Sequence, residues 1–182
     1  DGKGFIPVGS LNDETQFTGT FDGNGHTISG LTINRPDESG MALFGNVNGG
    51  TYRDVTITGS IEGYQNVGSL IGYSGSGNLT ISDITSSVSI RSHRGYTGGL
   101  VAESPVPTTI TDSHYTGNII VTDDDENDAN NIGGLVGTAG EIDISESSVA
   151  SNITVSSDAG GIYHVGGLVG YANATLTLAD SF

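Results

Sequence analysis

Carboxylates recur at one place in a repeated motif: Asp54 in TYRDV, Asp83 in TISDI, Asp112 in TITDS, Glu146 in DISES and Asp180 in TLADS. Two carboxylates about 5–9.5 Å apart on an exposed face would suit glycoside hydrolysis. A ladder of this kind is periodic, however, whereas an active site is a local break in a period. Each of these residues is therefore expected to cap backbone N–H groups at a bend between strands.

Two segments do break the period. RSHRGY (91–96) gathers Arg91, His93, Arg94 and Tyr96 in a chain with only 5 Lys and Arg in total. The equivalent corner carries Tyr64 earlier, and Tyr163 and His164 later. Arg, His and Tyr side by side suit a sugar face or an anionic group. The second segment is DDDENDANN (123–131). Asp123, Asp125 and Asn127 alternate like the opening of an EF-hand, but Asp128 stands where that loop needs Gly and no Glu closes it. An EF-hand is rejected. An irregular calcium site on Asp123, Asp125, Asn127 and Asp128 is the metal expectation, and no cofactor is required.

Other chemistries lack their residues. None of His26, His93, His114 and His164 sits in His-Glu-x-x-His, the zinc peptidase motif. The glycine-rich hexamers lack the lysine of a phosphate-binding loop. With 21 Asp and Glu and a formal charge of −16, the chain has no means of neutralising nucleic-acid phosphates. No apolar run approaches the roughly 20 residues of a membrane-spanning helix, so direct membrane insertion is not expected. The absence of Cys removes disulfides and thiolate metal sites.

The elements that must hold these residues come from a repeat. Leu43, Leu70, Leu100, Leu135 and Leu168 follow one another at 27, 30, 35 and 33 residues. Each lies in a glycine-flanked hexamer such as IGGLVG (132–137) or VGGLVG (165–170). A TITDS-like motif follows each hexamer, and then a short apolar piece: Ile57, VSI from Val88, IIV from Ile119 and ITV from Ile153. These pieces alternate apolar and polar residues and favour Val, Ile and Thr, the signature of strands. Three short strands in about 30 residues describe one coil of a β-helix.

Two apolar columns then point inward: Ile28, Tyr52, Ile81, Ile110, Ile144 and Leu178; and Phe21, Leu43, Leu70, Leu100, Leu135 and Leu168. Thr27, Thr51, Thr80, Thr109 and Thr177, interrupted by Asp143, should face solvent. The residues after the hexamer Leu (Ile71, Val101, Val136, Val169) should point away from it. Either the glycines turn the strand so that both faces are buried, or these residues form an external apolar stripe that docks something.

GGLVG followed by TITDS-like strands, and preceded by FTGTFDGNGHTISGLTI, resembles the GLUG-motif repeat proteins over nearly the whole chain. The resemblance implies a right-handed parallel β-helix in large secreted or surface-anchored, adhesin-like proteins. It carries no catalytic site over, because the motif is structural in that family.

The expectation is one all-β domain over 1–182, a right-handed parallel β-helix of about six coils. The terminal TLTLADSF falls in mid-repeat, so the chain is expected to be a piece of a longer protein, flanked by further repeats or domains. The expected function is a non-catalytic, adhesive stalk at the cell surface, with a glycan or another surface protein as partner. The alternative is a β-helical lyase or hydrolase acting on an acidic polysaccharide. Arg91, His93, Arg94 and Tyr96 would then recognise the anion, near Asp83 or Asp112.

Overall fold

A computed structural model describes residues 2–11, 14–123, 129–157 and 162–182. Among them the regular structure is all strand, and no helix is long and apolar enough to cross a membrane. Every ladder between strands is parallel. Parallel neighbours need a crossover of a dozen or more residues. Here the crossover is a pass through the other sheets before the chain returns, about one repeat later.

The five-stranded sheet stacks Phe44–Val47, Ile71–Ser74, Val101–Ser104, Val136–Ala139 and Val169–Ala172. A three-stranded sheet holds Thr97–Gly98, Ala129–Gly133 and Ile162–Gly166. The largest sheet has two arms joined by the long strands Thr20–Arg35 and Gly50–Gly63. One arm continues through Leu79–Ser86, Thr108–Thr111, Ile142–Ser145 and Leu176–Ala179. The other continues through Ser89–Ser92, Ile119–Asp123 and Ile153–Ser157.

The core lies between these sheets, and its rows are set by register. Tyr52, Ile81, Ile110, Ile144 and Leu178 are successive partners. The hexamer leucines also succeed one another, with the Leu70, Leu100 and Leu135 N–H groups donating to the Leu100, Leu135 and Leu168 carbonyls. Each fully buried aliphatic side chain contributes about 1.5–3 kcal/mol. The threonine row faces outward as expected at Thr80, Thr109 and Thr177, with Thr51 half-buried.

The first pass departs from the expected frame. Phe21 pairs with Tyr52 and Ile28 with Ile57, so neither belongs to the column assigned from sequence. Thr20, not Thr27, stands beside Thr51. The register shifts twice, between Asp22 and His26 and between Ile28 and Leu31, where extra residues are accommodated as irregularities. Ile57 is likewise corrected: it pairs with Ser86, and Ile61 is the partner of Ile90.

From Thr97 onward each hexamer is two strands rather than one, so those passes carry four main strand segments instead of three. In GMALFG and VGSLIG the first strand is reduced to a single bridge, at Met41 and at Val67. In IGGLVG the first strand ends at Gly133 and the next begins at Val136, with the bend at Gly134–Leu135. The two strands press back to back, because a Cβ on Gly133 would overlap the Val136 carbonyl oxygen and one on Gly137 would crowd the Thr97 backbone. The bend turns both Leu135 and Val136 inward, and Ile71, Val101 and Val136 are fully buried. The external apolar stripe does not exist there; Val169, in the last pass, is half-buried.

Candidate functional site

The bends around strands Gly50–Gly63 and Ser89–Ser92 bring three of the expected binding residues together. Arg94 Nη1 donates to the Tyr64 hydroxyl at 3.0 Å, and its guanidinium carbon lies 5.9 Å from that ring's centroid. His93 Nε2 is 2.9 Å from Glu62 Oε1, and its Nδ1 is 3.3 Å from Thr122 Oγ1. Glu62 was missed in the sequence. It is the register partner of Arg91, one repeat earlier, a pairing readable only once the frame through Ile61 and Ile90 is known.

Arg91 itself stands between Glu62 and Ile120 and lines an outward groove of about 340 Å³. Tyr163 and His164 are not part of this cluster. They pair with Asn130 and Asn131, and His164 Nδ1 lies 2.7 Å from Asn131 Oδ1. The His164 ring packs 5.2 Å from Tyr171.

Tyr96 belongs to a third place, the indented corner made by the back-to-back strands. Its carbonyl accepts the Val67 N–H, so it occupies the row of Asn66 and Asn131. The opposite wall carries Tyr73, Glu103 and Thr138 in register. Side chains join the walls: Asn66 Nδ2 donates to Glu103 Oε2 at 2.6 Å, and Asn131 Nδ2 to Thr138 Oγ1 at 2.8 Å. Burial pushes the Glu103 carboxyl above its ordinary value, partly opposed by the Asn66 hydrogen bond. Burial and the Glu103 charge together raise the Tyr73 phenol.

The carboxylate ladder has a backbone role of another kind than capping. Asp54, Asp83, Asp112, Glu146 and Asp180 all adopt the left-handed region, with φ of 57°, 55°, 45°, 52° and 49°. Asp and Asn enter this region more readily than most residues. Among the described residues none of the five carboxylates accepts a backbone N–H. The following serines do so instead. Ser113 Oγ accepts the Ile84 N–H at 3.3 Å, Ser147 Oγ accepts Ser113 N–H at 3.1 Å, and Ser181 Oγ accepts Ser147 N–H at 3.2 Å. The hydrogen bond and charge of Asp112, with burial and the charge of Asp180 adding less, raise the exposed Glu146 carboxyl.

Of the expected calcium ligands, Asp125, Asn127 and Asp128 lie outside the described residues. Asp123 is described only as the last residue of strand Ile119–Asp123. Among the described residues no cluster of three or more His, Asp or Glu side chains is placed to hold a metal ion.

Over 116 residues the chain is 34% identical to Halomucin of Haloquadratum walsbyi. The matched stretch covers 62% of this chain but 1% of that far longer protein. No family model matches the sequence, and no solved structure matches it.

Proposed function

We propose that the chain is a non-catalytic structural segment of an extracellular surface protein, wound as a right-handed parallel β-helix of about six coils. The observation that carries this reading is the continuous chain of parallel pairing from strand Thr20–Arg35 to strand Leu176–Ala179. In such a stack each coil contacts only its neighbours, giving a stiff rod whose length scales with repeat number. The partial likeness to Halomucin, of which the chain spans 1%, supports placing it within a very long surface chain. The hexamer repeat supports grouping it with GLUG-motif proteins.

The edge formed by Tyr64, His93 and Arg94 is the proposed adhesive contact, for a glycan or another surface protein. Asp83 and Asp112, the residues an enzyme would use, share one backbone conformation with three other carboxylates, and we give them that role alone. For the acidic loop at Asp123–Asp128 calcium is the proposed ion, checked by the rise in melting temperature that millimolar calcium should produce.

Deleting a full repeat tests the stack. Removing residues 111–144 joins Ile110 to Ser145, which follows its register partner Ile144, and every row can close. This shortened chain should still unfold cooperatively, whereas deleting half as many residues should abolish folding. Cooperative unfolding of both, or of neither, would sink the proposal.

A further inference from the structure

The outward face of the arm through Ser89–Ser92 carries a feature that a purely structural segment does not need. Beneath it Ile33, Ile61, Ile90 and Ile119 form a buried row, so the residues alternating with them point to solvent. Thr32, Ser60 and Ser89 are register partners, and Asn118 follows them, its carbonyl accepting the Ile90 N–H at 2.8 Å. Asn34, Glu62, Arg91 and Ile120 form the parallel outer row. Both rows line the 340 Å³ groove, which crosses four strands and so runs about 14 Å along the stack.

The lining has the make-up of a small-ligand site of modest size: apolar surface with a few convergent polar groups. Hydroxyl and amide groups on one row match the donors and acceptors of a sugar, and the Ile120 side chain offers apolar surface to its C–H face. The distinguishing group is Arg91. Ion pairs among the described residues of this strongly acidic chain join Lys3 and Arg35 to Glu38, Arg53 to Asp22 and His93 to Glu62. Among the described residues no carboxylate lies within ion-pair distance of Arg91. Its register neighbour Glu62 is turned to His93 instead, at 2.9 Å. A guanidinium presented in this way is suited to a planar two-point contact with an oxyanion.

We propose that this groove binds a short stretch of acidic glycan, with Arg91 holding a carboxylate or sulfate and the Thr32–Ser60–Ser89–Asn118 row holding hydroxyls. The site goes beyond the stalk reading and does not depend on it. The chain's charge of −16 repels such a ligand at long range, so binding should strengthen as salt is raised from about 0.01 M to 0.15 M, where the Debye length falls to about 8 Å.

Isothermal titration of the 182-residue chain with three tetrasaccharides tests it: galacturonate for carboxylates, κ-carrageenan for sulfates and cellotetraose as the neutral control. At least one acidic probe should bind about tenfold more tightly than cellotetraose, and which one identifies the oxyanion. Arg91→Gln should lose about tenfold, Arg91→Lys should lose less, and Ser89→Glu should abolish binding. Thermal melts of each variant establish that the fold is intact; should Arg91→Gln not fold, Arg91→Lys and Ser89→Glu carry the test. Equal affinity for charged and neutral probes, or binding unchanged by Ser89→Glu, would overturn the proposal. A concentration-dependent dimer broken by Ser89→Glu would assign the face to a second copy and overturn it too. The repeat-deletion experiment is independent of all these outcomes.

Discussion

The pass through Leu135 and Ile144 and the pass through Leu168 and Leu178 carry nearly the same residues and differ in what covers them. Ile132, Ile142 and Ile144 are 0–1% exposed, whereas their register partners Val165, Leu176 and Leu178 are 53%, 43% and 48% exposed. Within the described residues the middle pass has a strand on both sides, and the later one on a single side. Burial here is supplied by the neighbouring pass rather than by a residue's own strand. At the other end, residues outside the repeat do part of that work. The Phe5 N–H donates to the Thr32 carbonyl, and Phe17 packs 4.9 Å from Phe44 and 5.9 Å from Tyr52. Glu38 bonds both Lys3 and Arg35, and the Lys3 hydrogen bond is the main cause that holds its carboxyl below the ordinary range.

Equivalent glycines should separate the two passes most sharply. A Cβ on Gly134 would overlap the Gly167 carbonyl oxygen and meet the Val149 side chain, whereas one on Gly167 meets nothing within 4 Å. Gly134→Ala should cost about 3 kcal/mol or more, and Gly167→Ala should stay within about 0.5 kcal/mol, both read by urea denaturation. Equal costs would mean that the passes are not stacked as described. Truncating the core row comes next. Ile110→Ala should cost about 3 kcal/mol, through lost burial and a cavity. Leu178→Ala, already half in water, should cost about 1 kcal/mol.

The serine ladder gives a smaller contrast. Ser113 is fully buried, and its hydroxyl accepts one N–H while donating to the Thr111 carbonyl at 2.8 Å. Ser113→Ala strands the Ile84 N–H and should cost about 1–3 kcal/mol. Ser181→Ala, with solvent beside it, should cost clearly less. A ranking reversed in chemical denaturation would refute the assignment of the caps to serine.

The gentlest probe is pH. Because the folded state holds the Glu103 proton to higher pH than the unfolded state does, folding binds protons in that window. The contribution of Glu103 to stability therefore falls as pH rises from the ordinary glutamate value of 4.5 through its raised folded value. Glu103→Gln keeps an acceptor for Asn66 and removes this dependence. Its advantage in melting temperature should grow with pH and then level off. A pH-independent difference between the two proteins would show that Glu103 does not titrate in this way. Asp22, lowered chiefly by the Asn24 N–H and then by Arg53, has the opposite slope and loses its contribution as pH falls.

Much of this frame was legible in the residues. Alternation and spacing placed the leucine row and the row from Tyr52 to Leu178, because a strand repeats its facing every two residues and stacked passes must align them. The first pass was not legible, since its two register shifts move Phe21 and Ile28 into other rows without altering their local pattern. Tyr115 was not legible either. It is fully buried between Ser86 and Val149, with its hydroxyl bonded to the Val88 carbonyl at 2.8 Å. Its row alternates Ile57, Ser86, Tyr115 and Val149, so no residue type repeats. Of the expected site, Tyr64, His93 and Arg94 were close in sequence frame and meet in space, whereas Glu62 emerged only from register.

The sequence by itself determined that the chain is built from short strands in a repeat of about 30 residues, and which leucines and isoleucines succeed one another in the core. Those features follow from local alternation and from fixed spacing, which any stacking of the repeat must respect. Only the tertiary structure decided which way the hexamer turns. Its glycines permit two strands to lie back to back, and that contact, between residues of neighbouring passes, buries Leu135 and Val136 together. It also decided that Arg91 faces an open groove while Glu62 turns to His93, because pairings across passes depend on register, and register is set by the whole stack.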